Sequence, residues 1–407
     1  MADNTTDQRI AMLETQLQLM TRMLGVEVEE DVPVVTQSEK EQLLRAIDEL
    51  DPIKKLLDDE TVNDILINGD RGVFVERRGK LEKTDVKFDS DTTVFKLAEA
   101  IVKRVGRHIH PRRPLVDARL PDGSRVNIIA PPLSVDGTMI SIRKFSKNTI
   151  TLDHMVENGN LSPQLAEFLK VAGKCRLNVI IAGGTGSGKT TLLNAVSQHI
   201  LPDERIVTIE DAAELRLAQP HIVRLETKPV IFGRNREEEV TIRDLVKNAL
   251  RMRPDRIIVG EVRGPEAFDM MQAMNTGHEG SLTTVHANHP RDAMARIENM
   301  VTMANLNLPA AAIRNQIASA IHLVVQISRM RDGHRRVTYV SEVVGMESDV
   351  ITMQDLFVFQ NKGEDKNGML VGDFRWSGIM PRFIRRVAYY GESERLAKAL
   401  GVRLPNM

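Results

Sequence analysis

The sequence is poor in cysteine, in aromatic residues and in net charge. Its 407 residues include one cysteine, Cys175, so the chain can form neither an internal disulfide nor a cysteine-based zinc site. Aromatic residues make up 4%, and 55 Lys and Arg nearly balance 56 Asp and Glu, which gives a net charge of -1. Stacking aromatics and a basic excess are typical of chains that bind nucleic acid, so this composition argues against that class.

Long apolar runs are also missing. No stretch approaches the roughly 18 residues of a membrane span, and the polar start Met1-Ala2-Asp3-Asn4 does not resemble a signal peptide. Hydrophobic residues make up 42%, which is enough for a sizeable core. At roughly 150 residues per domain, the length predicts two or three domains. We therefore expect a cytoplasmic, multidomain protein.

The first 37 residues stand apart from the rest. Ile10, Leu13, Leu17, Met20 and Leu24 have the spacing of a coiled-coil seam, but two heptads are too short to be stable alone. Residues 1–37 therefore form either a frayed amphipathic arm or a short docking or oligomerisation arm.

Residues 38–145 mix helical and strand periods. Ser38 and Glu41 have the spacing of a capping box, which predicts a helix over 38–58. Residues 64–88 show short β-rich runs, 92–107 have helical periodicity, and 139–143 resemble a strand. The segment is predicted to be a mixed α/β domain. A polar connector, 146–160, follows it.

Residues 161–407 alternate β-rich runs with helical stretches, which is typical of a parallel sheet covered by helices. The runs 179–182, 206–209 and 257–259 are rich in β-branched apolar residues, as in fully buried strands. Two apolar-rich runs over 321–344 surround Asp332-Gly333, which predicts a hairpin. We expect an α/β domain that ends in a helical tail.

A glycine-rich loop follows the first of these strands and precedes a helix. It matches G-x-x-x-x-G-K-[ST], the signature of a phosphate-binding loop. Its glycines let backbone amides converge on phosphate oxygens, and the helix N-terminus adds partial positive charge. We expect Lys189 to reach the β- and γ-phosphates of ATP and Thr190 to ligate Mg²⁺. The predicted cradle comprises Gly183, Gly184, Thr185, Gly186, Ser187, Gly188, Lys189, Thr190 and Thr191.

Acidic residues follow two of the apolar strands. Glu261 lies just beyond Ile257–Val259, as in a Walker B motif, and is the predicted general base. Glu210 and Asp211 follow 206–209, and one of them is expected to organise Mg²⁺ and its waters. We favour Glu210 because it directly follows the strand; Asp211 also suits a helix cap. The carboxyl ends of parallel strands share one edge, where open α/β sheets bind ligands.

A histidine ends a third strand-like run. His286 closes Ser281–Val285, and its place at the presumed sheet edge makes it a predicted γ-phosphate sensor. His278 and His289 lie nearby, and a zinc site at the three histidines is the disfavoured alternative because no structural need for zinc is evident.

These four segments, in this order, resemble the secretion ATPase superfamily of type II and type IV machinery. They correspond to its Walker A motif, Asp box, Walker B motif and His box. The segments Leu250–Gly264 and Thr283–Asn288, with Pro114–Asn127 and Ile140–Phe145, are most similar to the TadA/CpaF branch of tight-adherence pilus motors. The resemblance covers roughly residues 40–400. The chain lacks the tetracysteine motif of the type IV pilus extension branch.

The resemblance implies a RecA-like C-terminal ATPase domain and a hexameric ring. It implies that ATP hydrolysis moves the domains and drives an inner-membrane platform protein that adds or removes pilin subunits. The protein would be cytoplasmic and reach the membrane only by peripheral docking, without a nucleic-acid partner. Extension and retraction both stay open.

The resemblance also points to arginines of the first domain. Arg125 and Arg143 match residues that reach nucleotide phosphates, and Arg119 is a third, weaker match. Arg251, Arg253 and Arg263 are alternatives that would face a neighbouring subunit. The base of ATP is expected to pack near Leu152. Two other functions stay open at this point: a nucleic-acid translocase on the same core, and a nucleotide-gated scaffold that barely hydrolyses ATP.

Overall fold

The computed structural model describes residues 51–77, 80–145, 150–228, 239–366 and 368–403. The predictions for the arm 1–37, for residues 38–50 and for 146–149 lie outside these ranges. The chain divides into two compact units, one ending at Lys144 and one beginning at Phe145. Within the described ranges, no helix is both long enough and apolar enough to cross a membrane.

The described part of the first unit is a six-stranded antiparallel sheet with helices against it. The strand order is β3-β2-β1-β6-β5-β4. The elements are α1 (Asp51–Asp58), β1 (Val62–Asn68), a 3-10 turn (Gly69–Arg71), β2 (Val73–Arg77), β3 (Lys80–Lys83), α2 (Asp91–Lys103), β4 (Leu115–Arg119), β5 (Arg125–Ile129) and β6 (Met139–Arg143).

Alternating apolar residues explain this sheet. Ile65 and Ile67 of β1 are fully buried and pack with Val94, Leu97 and other apolar residues on one side of α2. Since side chains on a strand alternate between faces, one face of the sheet supplies the core and the other stays polar. The predicted mixed α/β character of this segment is confirmed.

The second unit contains a nine-stranded sheet in its described part, in the order β15-β14-β13-β12-β7-β11-β10-β8-β9. The strands are β7 (Val179–Gly183), β8 (Ile206–Glu210), β9 (Ile222–Glu226), β10 (Arg256–Val259), β11 (Leu282–His286), β12 (Leu323–Arg329), β13 (Arg335–Glu347), β14 (Val350–Glu364) and β15 (Leu370–Trp376). Six neighbouring strands run parallel, namely β12, β7, β11, β10, β8 and β9. Strands β13, β14 and β15 extend the sheet from β12 with antiparallel pairing.

Helices cover both faces of this sheet. They are α3 (Leu152–Glu157), α4 (Pro163–Lys174), α5 (Lys189–Ser197), α6 (Ile242–Ala249), α7 (Glu266–Asn275), α8 (Pro290–Thr302), α9 (Ala310–Ala320), α10 (Ile384–Tyr389) and α11 (Ser393–Leu400). One core cluster joins α3, α4, α5 and α11 to the sheet, and the other joins α6, α7, α8 and α9 to it. The α/β fold class is therefore confirmed, as is the hairpin at Asp332-Gly333 between β12 and β13.

The segment predicted to be part of the connector contributes to this core. Helix α3 begins with a capping box at Thr151, and its residues Leu152 and Met155 are buried. Leu152 is 0% exposed, so its side chain is not available to a nucleotide base. The expectation that the base packs near the connector, around Leu152 and its neighbours, stays a prediction, with the Leu152 side chain itself facing the core.

Candidate active site

The glycine-rich loop connects β7 to α5, and the packing around it requires glycine. A Cβ on Gly183 would lie 2.4 Å from the carbonyl oxygen of Ile327 on the neighbouring strand. Gly186 and Gly188 have φ values of +66 and +98, in the left-handed region that glycine adopts without strain. Gly188 is the N-cap of α5, so the loop leads directly into the helix N-terminus.

Hydrogen-bond donors of this loop converge on a single acceptor. Lys189 Nζ and Ser187 Oγ each donate to the carbonyl oxygen of Gly184 at 2.9 Å, and the Ser187 amide approaches the same oxygen at 3.4 Å. An anionic phosphate oxygen is a stronger acceptor than a peptide carbonyl. The loop donors therefore converge on one point. A phosphate oxygen that replaced the Gly184 carbonyl there would form stronger hydrogen bonds with them. Thr190 and Thr191 are half-buried in the first turn of α5, beside these donors.

Three predicted site residues form a chain beside the loop. His286 Nε2 lies 3.3 Å from Lys189 Nζ and 3.4 Å from Glu261 Oε1. The three residues come from α5, from the end of β11 and from the loop after β10, which meet at the carboxyl edge of the sheet. The structure therefore brings Lys189, His286 and Glu261 together.

Burial shifts the protonation of this chain. The pKa of Lys189 is lowered by burial, an effect that the nearby Glu261 carboxylate opposes. Burial and the Lys189 ammonium lower the pKa of His286, so the imidazole is neutral at physiological pH. A neutral imidazole then separates a cation from a carboxylate.

Glu261 keeps one oxygen available. Its Oε2 accepts a hydrogen bond of 2.6 Å from Arg263 Nη2. Its Oε1 is buried without a hydrogen bond to the described residues, because the His286 contact lacks hydrogen-bond geometry. A buried carboxylate oxygen without a hydrogen bond is suited to bind a water proton or a cation. Arg263 also approaches Asp211 Oδ2 at 3.4 Å. Within one copy of the protein, Arg263 therefore contacts the acidic residues of its own site; its predicted role toward a neighbouring subunit stays a prediction.

Glu210 is buried and holds the loop that follows β8. It is 3% exposed, and its Oε1 accepts hydrogen bonds from the amides of Glu214 and Leu215 at 3.0 and 3.1 Å. A Cβ on Gly260 would lie 2.9 Å from Glu210 Cγ, so this side chain packs against the strand end that carries Glu261. Burial raises the pKa of Glu210 to about 7 although both amides favour its anion.

Replacing Glu210 by Gln should therefore stabilise the protein at high pH. Because the folded-state pKa is raised from 4.5 to about 7, the fold favours the protonated form, and stability falls as the pH rises across that interval. Gln stays neutral and keeps an acceptor for the two amides. At pH 8, Glu210→Gln should exceed the wild type by on the order of 3 kcal/mol, with little difference at pH 4.5. Urea unfolding without nucleotide at both pH values measures this.

The exposed Glu226 on neighbouring β9 supplies the control. Glu226→Gln should change stability by less than about 0.5 kcal/mol at either pH, as for other surface substitutions. Equal pH dependence of Glu210→Gln and the wild type would show that the Glu210 carboxylate is not desolvated in solution.

The predicted arginines of the first unit lie in one row. Arg119 of β4 pairs with Arg125 of β5, which pairs with Arg143 of β6, so the three occupy directly opposed positions on neighbouring strands. Arg143 is 67% exposed in its side chain and pairs with Asp64 of β1 at 3.3 Å. Opposed like charges destabilise a sheet. An anion on this row would relieve that repulsion.

Other arginines lie elsewhere. Arg251 and Arg253 are exposed and precede β10, at the opposite end of that strand from Glu261. Arg335 of β13 was not predicted, yet its Nε donates a 2.9 Å hydrogen bond to the Gly186 carbonyl of the glycine-rich loop. A contact between residues 149 positions apart leaves no local signal in the sequence.

The histidines do not form a shared metal site. His289 caps α8, where its Nδ1 accepts a hydrogen bond of 3.3 Å from the Arg291 amide. Among the residues that the structure describes, no group of three His, Cys, Asp and Glu side chains is arranged to hold a metal ion.

Comparisons with known proteins give the family. The model of the family described as Type II/IV secretion system protein matches residues 46–366. The conjugal transfer protein TrbB of Rhizobium radiobacter is 36% identical over 299 residues, which cover 72% of this chain and 85% of that protein. The type IV secretion system protein PtlH of Bordetella pertussis is 37% identical over 259 residues, covering 57% of this chain and 75% of PtlH.

A solved structure supports the fold. The Legionella pneumophila ATPase DotB aligns with a TM-score of 0.51 at 22% identity, covering 74% of this chain and 81% of DotB. The second unit accordingly has the RecA-like ATPase fold. The family match and the identity with TrbB show that the chain belongs to the type II/IV secretion system protein family. Its glycine-rich loop and the acidic residues at the same sheet edge agree with this, and the chain is an ATPase of that family.

Proposed function

We propose that this protein is a motor ATPase that powers pilus assembly or protein secretion through an inner-membrane platform. The observation that carries the proposal is the chain Lys189–His286–Glu261, in which a buried lysine and a carboxylate flank one histidine beside the glycine-rich loop. A site that only binds nucleotide needs the loop; hydrolysis also needs a carboxylate placed to activate water. This arrangement favours a hydrolysing motor over a nucleotide-gated scaffold.

Each residue has a distinct role in the proposed reaction. Lys189 and the loop amides neutralise the phosphates, and Glu261 accepts the proton of the attacking water through its free Oε1. Neutral His286 lies between Lys189 and Glu261, where its Nε2 can donate or accept one hydrogen bond. The partner of that hydrogen bond would change when a γ-phosphate binds, so His286 would act as the γ-phosphate sensor. Arg263 holds the other Glu261 oxygen and thereby fixes the direction of Oε1.

Mg²⁺ fits the donors at this edge. The carboxylate of Asp211 is a hard oxygen donor of the type that Mg²⁺ prefers, and it lies beside Glu261 because Arg263 contacts both residues. Thr190 would ligate Mg²⁺ directly, and the ion would neutralise charge developing on the phosphates. For Glu210 to serve the metal, its carboxylate has to exchange the amides of Glu214 and Leu215 for a water of the ion.

The arginine row supplies further positive charge. We propose that Arg143 and Arg125 contact the phosphates when the first unit engages the nucleotide, with Arg119 behind them. A phosphate held by these arginines would link nucleotide binding to movement of the first unit.

Replacing Arg143 by Ala should lower turnover more than nucleotide affinity. An arginine that stabilises transition-state charge is worth about 10³- to 10⁵-fold in kcat, and we expect about 10²-fold for one member of a row in which the others remain. Steady-state ATPase assays on the assembled oligomer, with ADP binding measured in parallel, test this. Arg71→Ala is the control, since Arg71 is equally exposed in the same unit and pairs with Asp136. Unchanged turnover of Arg143→Ala would rule out the role.

We propose a hexameric ring that docks peripherally on the membrane, and we assign it to the TadA/CpaF-like branch. The segments that support this branch are Leu250–Gly264 around Glu261 and Pro114–Asn127, which includes Arg119 and Arg125. Relatives named for conjugal transfer and for type IV secretion make conjugal transfer and type IV secretion the alternatives to be tested.

Complementation tests the function directly. In a deletion strain of the source organism, the wild-type gene should restore surface pili, and Glu261→Gln should not, at equal protein level. Restored secretion or conjugation without any effect on pili would refute the pilus assignment. Stimulation of the purified ATPase by nucleic acid, with salt-dependent affinity, would favour a translocase instead.

A further inference from the structure

Arg335 touches the glycine-rich loop at two points. Its Nε donates to the Gly186 carbonyl at 2.9 Å, near the tip of the loop. An ideal Cβ on Gly188 would lie 3.3 Å from Arg335 Cδ, so the aliphatic part of the arginine packs against the end of the loop. One side chain from β13 thus braces both the tip and the end of a loop that precedes it by about 150 residues.

The backbone of Arg335 is itself fixed in place. Its carbonyl oxygen accepts a hydrogen bond of 2.5 Å from Asn160 Nδ2, and the Val337 amide donates to the Asn160 carbonyl at 2.9 Å. Arg335 also pairs with Arg329 across the hairpin. The guanidinium therefore extends from a rigid strand rather than from a flexible surface segment.

The bond to Gly186 controls the direction of the next amide. In a planar trans peptide the carbonyl and the following N–H point in opposite directions. Holding the Gly186 carbonyl outward therefore directs the Ser187 N–H inward, toward the Gly184 oxygen that the other loop donors share. A Cβ on Gly186 would meet nothing within 4 Å, so no neighbouring group packs against this side of the Gly186 Cα. Without the arginine, the glycine would sample other orientations at little cost.

We propose that Arg335 is a positioning residue for nucleotide binding: it orients the Ser187 amide toward the phosphates that the loop holds. The ligand class is a nucleoside di- or triphosphate, and the proposal rests on nucleotide binding by the loop. Because Arg335 acts on the loop and not on reacting atoms, it should affect ADP and ATP alike and leave the chemical step unchanged.

The decisive variant is Arg335→Met, which keeps an aliphatic stem against Gly188 and removes the donors. We expect the dissociation constants of ADP and of a non-hydrolysable ATP analogue to rise by the same factor, about 10-fold, which is typical for a hydrogen bond from a charged donor. The KM for ATP should rise in parallel, while kcat stays within about 2-fold. Arg335→Lys, which retains a charged donor, should recover most of the affinity.

Arg331→Ala is the matched control. Arg331 lies on the turn of the same hairpin, is 68% exposed in its side chain and pairs with Glu364, so its loss removes one positive charge without touching the loop. Calorimetry on the full-length oligomer and steady-state kinetics cover all variants, and thermal melting checks that Arg335→Met and Arg335→Lys are folded.

Several outcomes would overturn the proposal. A loss confined to the ATP analogue would show that Arg335 contacts the γ-phosphate directly. A fall in kcat with unchanged affinity would make it part of the chemistry, and equal behaviour of Arg335→Met and Arg331→Ala would remove any specific role. If the wild type itself bound neither nucleotide, nucleotide binding by the loop would fail before this proposal was reached.

Discussion

Replacing Glu261 by Gln should reduce ATP turnover by about 10³-fold and leave nucleotide binding intact. A general base contributes typically 10²–10⁴-fold, and the amide of Gln cannot accept a water proton. Binding should survive because the loop donors predicted to hold the phosphates, Lys189 Nζ and Ser187 Oγ, donate to the Gly184 carbonyl and not to Glu261. Single-turnover hydrolysis, with a binding isotherm for ATP, measures the two effects separately.

Glu298 provides the matched control for this substitution. It is a partly buried carboxylate of α8 in the same unit and pairs with Arg314 Nε at 2.8 Å. Glu298→Gln should change turnover by less than about 2-fold, as expected of a surface ion pair. If Glu261→Gln retained turnover near that of the wild type, another group would be the base, and Asp211, which shares Arg263 with Glu261, would be the next to test.

The central part of the site could be predicted because its signals are local. A β-rich, mostly apolar run with an acid at or shortly after its end predicts a buried parallel strand with a carboxylate at the sheet edge, and β8 and β10 have this form. Strands β7, β11, β10 and β8 are neighbours and parallel, so the predicted common edge is confirmed.

Residues whose position depends on strand order or register could not be predicted. Arg119 and Arg125 flank one turn, but only the register between β5 and β6 places Arg143 beside Arg125. Arg335 reaches the loop because β12 inserts next to β7, which is a property of sheet order. No pattern within either segment encodes these pairings.

Strands β14 and β15 escaped prediction for a different reason. Most residues of β14 are half-buried or exposed and follow no regular alternation, whereas β15 alternates in burial from Leu370 to Trp376 but includes Gly372 and Asp373. An exposed ion pair, Lys362–Asp373, connects the two strands, and Leu356 and Phe357 of β14 belong to the core of the second unit. Partly solvated strands of this kind are specified by their partners rather than by their own hydrophobic pattern.

Replacing Lys189 by Met should abolish activity and at the same time stabilise the unliganded protein. Lys189 is 8% exposed, and burial lowers its pKa, which means that the fold disfavours its charge. Its present partners are the Gly184 carbonyl and the neutral His286 imidazole, neither of which carries a negative charge. Met fills a similar volume without a charge. We expect turnover to fall by about 10³-fold, ATP affinity to weaken and the melting temperature to rise by a few degrees.

Lys170 is the control for this prediction, because the same substitution there should change the melting temperature in the opposite direction. It is also 8% exposed, but its Nζ donates to Asp153 at 2.6 Å and to Glu167 at 2.9 Å. Burial works against its charge, yet these carboxylates outweigh it and the pKa of Lys170 is raised. Lys170→Met should therefore lower the melting temperature and leave turnover unchanged. The two lysines thus have the same exposure but different partners. The carboxylates of the fold compensate the charge of Lys170, and we expect the phosphates of the nucleotide to compensate the charge of Lys189. A fall in stability for Lys189→Met as large as that for Lys170→Met would show that the protein alone already compensates the charge of Lys189.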